Sequence, residues 1–185
     1  MSRLLSATLA LCAVAFVAGC TSSSPVASPS EDTTPTIDPS LIPTAPPEGV
    51  TDVDVSLYSN GFGEYIFMVG DGPAWCSIIP ADDAAVCEQN EVVAEYQPIP
   101  SPEDCRFSFG YQAFLHGTKQ EGDKTAYFPC TGGFYTDPTD ALKLASGERI
   151  TIAPFTCFVT GITARCDNQS GQYIVLGPQA WALGN

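Results

Sequence analysis

The stretch Thr156-Cys157-Phe158-Val159-Thr160-Gly161-Ile162-Thr163-Ala164-Arg165-Cys166-Asp167 decides the reading of the fold. Two short runs rich in β-branched and aromatic side chains flank Gly161-Ile162, and glycine at the first central position suits a two-residue type II′ hairpin turn. That turn sets a register in which Thr160 faces Thr163, Val159 faces Ala164, Phe158 faces Arg165 and Cys157 faces Cys166. Counting outward from the turn, the cysteines fall on a non-hydrogen-bonded pair, where Cα atoms approach to about 4.5 Å. A disulfide can span that separation, so the hairpin is expected to be stapled.

The same grammar extends over most of the chain after residue 51. Short apolar runs bounded by Gly, Pro, Asn or Asp read as strands at 64–69, 74–79, 84–87, 92–96, 106–114, 125–130, 149–153, 156–160, 163–167 and 172–176. Cys105, Phe107, Phe109 and Tyr111 alternate with polar or small residues, as on a strand with one buried face. A competing pattern is Asp137-Pro138-Thr139-Asp140, which predicts a short helix through Leu144 with Asp137 as N-cap and Gly147 beyond its end. Cys76 and Cys87 flank a second hairpin whose loop holds Pro80 to Asp83, and Cys105 and Cys130 then pair by elimination among the 15 connectivities six cysteines allow. Each bridge contributes roughly 3 kcal/mol in the chain-entropy account, so three rival the net stability of a small domain, about 5 to 15 kcal/mol. Zinc is disfavoured by the lack of any Cys-x-x-Cys pair and by a single histidine. The expected class is mainly β: a small antiparallel sheet, sandwich-like or barrel-like, with three disulfides and at most one short helix.

Length and composition fit one exported domain with a tail: 185 residues, 44% hydrophobic and 15% charged, with 8 Cys. With 7 basic against 21 acidic residues the formal charge is −14, which opposes any nucleic-acid backbone. Residues 1–19 carry Arg3, an uncharged run from Leu4 to Val17 and then small residues, the pattern of a secretory signal too short to span a membrane. Cys12 would leave with it. From Thr21 to Val50, 18 of 30 residues are Ser, Thr or Pro, too polar to bury surface against chain entropy. Residues 20–50 are therefore expected to be a disordered tether, and 51–185 a disulfide-stapled β domain.

Val17-Ala18-Gly19-Cys20 resembles the bacterial lipobox, in which the cysteine receives diacylglycerol and becomes the mature N-terminus. The resemblance implies lipidation, with palmitate-type acyl chains, at Cys20 and anchoring on the extracytoplasmic face of the cell membrane, since two acyl chains suffice for stable attachment. Phe155-Thr156-Cys157, Gly161-Ile162-Thr163, Cys166-Asp167-Asn168 and Gly171, together with the Trp75-Cys76 to Cys87 hairpin, resemble a small six-cysteine exported domain of unassigned function found in actinobacterial lipoproteins. The family's glycine, phenylalanine and Ser-Arg ending are replaced here by Gln172 to Gly177.

Chemistry is sparse. His116, the one histidine, stands outside any nucleophile motif and reads as a turn residue. Asp82-Asp83 and Asp137 with Asp140 lack the alternating acidic loop of a calcium site and read as turn and capping groups. Gly61-Phe62-Gly63 lacks the third glycine and the preceding strand of a nucleotide loop, and Asn168-Gln169-Ser170 reads as a hairpin turn. The remaining handle is aromatic: Phe62, Tyr65, Trp75, Phe109, Tyr111, Phe128, Phe134, Tyr135, Tyr173 and Trp181 either fill the core or form a recognition face. The expectation is a monomeric, non-enzymatic binding module of the envelope, with no catalytic, cofactor or metal residues, anchored to the membrane and meeting an envelope protein or glycan. The alternatives are an envelope hydrolase using a carboxylate pair, marked by two facing carboxyls, and a purely structural surface protein.

Overall fold

The computed structural model describes residues 37–44, 46–90, 102–107, 110–118 and 124–185. The signal segment 1–19, Cys20, most of the tether and the expected strand 92–96 lie outside the described residues.

The described chain forms twelve strands: β1 (Thr51–Asp52), β2 (Tyr65–Val69), β3 (Ala74–Ile79), β4 (Ala84–Gln89), β5 (Gln112–His116), β6 (Ala126–Tyr127), β7 (Leu142–Leu144), β8 (Glu148–Ile152), β9 (Phe155–Thr160), β10 (Thr163–Asn168), β11 (Tyr173–Leu176) and β12 (Trp181–Gly184). They make two six-stranded sheets, β1-β8-β9-β10-β11-β12 and β6-β5-β4-β3-β2-β7. Helical structure among the described residues is confined to one-turn 3-10 segments. The class is thus mainly β, a sandwich with three disulfides. Both sheets are mixed: β1 runs parallel to β8 and β7 parallel to β2, while the other neighbours are antiparallel. The parallel pairs arise because the chain crosses between the sheets twice at one edge, from β1 to β2 and back from β7 to β8. Arg149 secures that edge through two contacts with Asp52, at 2.7 and 2.8 Å.

Strand alternation builds the core. Phe67, Val69, Cys76, Ile78, Ala85, Cys87, Ala113 and Leu115 project from one sheet onto Ile150, Phe155, Cys157, Val159, Cys166, Ile174 and Leu176 of the other. The expected hairpin register holds, with Cys157 opposite Cys166 and Thr160 opposite Thr163, and Gly161 takes φ 62°. The bridges are Cys76–Cys87, Cys105–Cys130 and Cys157–Cys166. The first and third are cross-strand links with Cα separations of 4.1 and 4.0 Å. They stack across the sandwich, with Cys87 Sγ 3.8 Å from Cys166 Sγ, so the middle of the core is sulfur.

Three sequence expectations need correction. The helix expected from Asp137 is a turn followed by β7: Asp137 Oδ1 accepts from Thr139 N and Oγ1, but the chain then extends so that Leu142 and Leu144 pair with Phe67 and Val69. A long-range partner outweighed local capping. The alternation from Cys105 to Tyr111 is not expressed as a strand in its described residues, and β5 begins only at Gln112. The run 125–130 contracts to β6. β1, β7 and β12 were not expected, being too short or too weakly alternating.

Residues 37–44 also carry structure. Asp38 caps a turn over Pro39–Leu41, Ile37 is buried, and Pro43 O accepts a hydrogen bond from Arg165 Nη1 at 2.9 Å.

Candidate functional site

β3 and β4 are buried on both faces, so the outer face of their sheet needs a cover. Residues 131–137 supply it. Register places Trp75 opposite Glu88 and Glu88 opposite Gln112, a row of polar tips across three strands. Glu88 is fully buried, and every partner donates to it. Oε1 accepts from Gln112 Nε2 at 2.6 Å and Tyr135 N at 2.5 Å; Oε2 accepts from Trp75 Nε1 at 3.1 Å, Thr136 N at 2.9 Å and Thr136 Oγ1 at 2.7 Å. Five donors compensate the burial of a carboxylate. They also occupy it, so Glu88 serves as the clamp of the covering loop and is not free to act as a base.

The clamp shapes a cleft of about 300 Å³ lined by Gln89, Asn90, Tyr111, Gln112, Thr131, Gly132, Gly133 and Phe134. Gln112 Nε2 donates to Glu88 Oε1 and to Gly133 O, both at 2.6 Å, which fixes the carboxamide: reversed, its oxygen would face a carboxylate and a carbonyl. Its Oε1 is buried without a partner, as are both Oε1 and Nε2 of the fully buried Gln89. Unpaired buried amide atoms cost about 1 to 3 kcal/mol each. Phe134, 56% exposed, and Tyr111, 37% exposed, stand at the rim. The Phe134 ring meets Trp75 edge-on at 4.8 Å, so the clamped indole holds it in place.

A second hollow, about 340 Å³, lies between Leu57, Ile66, Leu142, Asp137 and Asp140. At its rim stands Phe62, 90% exposed. Asn60 rigidifies that loop, accepting from Phe62 N and Glu64 N while its Nδ2 donates to Glu64 Oε2 at 2.6 Å.

The aromatics singled out in the sequence divide between core and surface. Trp75 is buried; Phe128 and Trp181 meet edge-on at 5.2 Å and with Tyr65 pack on the core; Tyr173 lies 3.8 Å beneath the Arg165 guanidinium. Phe62, Tyr111, Phe134 and Tyr135 are exposed, and Phe109 lies outside the described residues. His116 stands at the other end of β5 from Gln112, stacked on Tyr127 with Nε2 3.3 Å from its hydroxyl. Asp82 accepts from the Tyr135 hydroxyl at 2.6 Å, which pushes the Tyr135 phenol up to about 12. Asp83 Oδ2 accepts from Thr118 N and Oγ1. Asp38, Asp54 and Asp137 are held below the ordinary carboxylate value by hydrogen bonds from Ser40, Ser56 and Thr139, and Asp52 by Arg149. The sulfurs of Cys76, Cys87 and Cys166 come within 4.8 Å of one another, but all three are tied in disulfides and offer no thiolate to a metal.

Glu88, Gln89 and Gln112 escaped the sequence reading. The available signal was the polar pair Glu88-Gln89 following the apolar run 84–87, which only a burial argument makes conspicuous. Comparison of the chain with protein-family models, curated proteins and solved structures finds no match.

Proposed function

We propose that this chain is a cell-envelope lipoprotein, attached through acylated Cys20 to the extracytoplasmic face of the membrane, that works as a monomeric, non-enzymatic binding module for an envelope protein or glycan. The observation that carries the reading is the cleft beside β4 and β5, where Phe134, exposed and buttressed by Trp75, and Tyr111 stand at the rim of a hollow of about 300 Å³. Aromatic walls with a few oriented polar groups are the usual composition of a recognition pocket. Three disulfides accord with an oxidising compartment. The hydrolase alternative requires a raised carboxyl beside a second one, whereas among the described residues the carboxylates displaced from their ordinary value, Asp38, Asp52, Asp54 and Asp137, are displaced downward.

The test is made in intact cells. A photo-crosslinking residue at position 134 should capture an envelope component that the same residue at Glu103 does not, and Cys20→Ala should move the protein out of the membrane fraction. Turnover of a glycan or peptide by the purified protein, or unchanged membrane fractionation of Cys20→Ala, would overturn the reading.

A further inference from the structure

We infer that the molecule has a second docking surface: the hollow beside Phe62 takes a basic segment of another protein, seating one apolar side chain of that segment among Leu57, Phe62 and Leu142 while its cations meet Asp137 and Asp140. The hollow shares no lining residue with the cleft at Phe134, so this surface goes beyond the one on which the binding-module reading rests.

The apolar part is gathered, not scattered. Leu57, Phe62 and Leu142 are three of the eight large apolar side chains left exposed in the described residues, and all three border this one hollow of about 340 Å³, which buried Ile66 also lines. Single exposed apolar residues are ordinary on a protein surface, whereas a contiguous group marks a contact. The display of Phe62 is imposed by its loop. Gly61 and Gly63 on either side of it take φ 82° and 88°, Asn60 N donates to Glu64 O at 3.0 Å, and Asn60 Oδ1 accepts from Phe62 N at 2.9 Å. The backbone is therefore fixed while the ring stands in water, and a partner that covers the ring gains its burial without ordering the loop.

Charge selects the occupant. Asp137 and Asp140 are the charged side chains of the described lining, and Lys, Arg and His are missing from it. Lys143, the next base along β7, is held by Asp71 at 2.7 Å. Hydrogen bonds from the Thr139 hydroxyl and N–H hold the Asp137 carboxyl below the ordinary carboxylate value; both end on Oδ1, so Oδ2 remains for a cation. A second copy of this chain brings the same net charge of −14, and an anionic lipid face brings the same sign, so each meets repulsion. A neutral segment leaves both acids unanswered. A basic segment with an apolar side chain answers both: the burial supplies most of the affinity, and the exposed ion pairs add a little energy and the choice of partner.

The experiment uses the full chain as isolated from its cells, disulfides intact, in phosphatidylcholine nanodiscs, titrated with acetyl-Lys-Lys-Leu-Leu-Lys-Lys-amide. The controls are the same peptide with Ser-Ser at its centre and the same peptide with Glu in place of every Lys. NMR signals of the Phe62 ring and of the Leu57 and Leu142 methyls report occupancy, and calorimetry reports affinity. The basic apolar peptide should saturate, shift those signals and bind about tenfold or more tighter than either control. Phe62→Ser should weaken it about tenfold or more and Asp140→Asn about threefold, while Glu103→Gln leaves it unchanged; all three side chains are exposed, so the variants keep the fold. Raising the salt from about 0.05 to about 0.5 M should weaken binding as well. Failure of the basic peptide to saturate, or equal binding of the Ser-Ser or Glu peptide, overturns the inference. So does self-association of the chain, or attachment to phosphatidylglycerol vesicles, that Phe62→Ser abolishes. Capture at position 134 is read separately, so either surface can fail without the other.

Discussion

Replacing Glu88 by glutamine exchanges one carboxylate oxygen for an NH₂ group and tests the clamp. The carboxylate accepts from five donors, three on Oε2 and two on Oε1. The glutamine oxygen would keep the side with three, so its NH₂ would face Gln112 Nε2 and Tyr135 N, donor against donor. Each stripped donor costs about 1 to 3 kcal/mol. Neutralising a buried charge returns part of that sum through relieved desolvation. The expected net loss is about 3 kcal/mol, which in a domain of this size lowers Tm by roughly 10 °C. Thermal unfolding followed by circular dichroism, with Glu103→Gln on an exposed turn as the control, measures it. Because Trp75 donates to the same carboxylate, its emission should shift in the folded variant as well. A Glu88→Gln protein melting within about 2 °C of the parent would show that the five contacts carry no net stability, and the role of Glu88 as the clamp of the covering loop would fall with them.

Other outcomes follow from single contacts. Gly70 adopts φ 54° and a Cβ there would lie 2.2 Å from Gly161 O, backbone that cannot swing away, so Gly70→Ala should cost about 2 to 5 kcal/mol; Gly61→Ala, at φ 82° with open space around it, should cost only about 1 to 2 kcal/mol, and equal urea midpoints would contradict this. Non-reducing peptide mapping should join 157 to 166, 76 to 87 and 105 to 130, and removing the first pair by Cys157→Ala with Cys166→Ala should lower stability by about 3 kcal/mol or more in urea unfolding. Tyr135 is protonated in its bond to Asp82, with its pKa raised from 10.0 to about 12, so that bond's stabilisation is complete below pH 10 and is lost as pH rises through about 12. Ultraviolet titration of the folded protein should show a late-ionising phenol that Tyr135→Phe removes.

Most of what the sequence disclosed was local. The Gly161-Ile162 turn dictates a register by geometry alone, and that register dictates a bridge; Cys76 and Cys87 obey the same rule. Where an element depends on a distant partner, local signals mislead. Asp137 and Pro138 do start a turn, but Leu142 and Leu144 are claimed by β2, some 75 residues earlier. Alternation near Cys105 yields no strand at Cys105, Arg106 or Phe107. The cleft was harder still. Carboxamides form no motif, and Gln89 and Gln112 become notable only when burial leaves their atoms unpaired. The aromatic handle pointed to the right side chains without separating Phe134, which is presented, from Trp75, which presents it.

The docked segment at 37–44 moves the border of the folded body toward the N-terminus. Ser40, Leu41 and Pro43 border a hollow with Gly161, Ile162 and Gln179, and Arg165 of β10 holds Pro43 O, so a truncation made at residue 50 would strip away a strap that the β-hairpin end of the sandwich uses as part of its own wall.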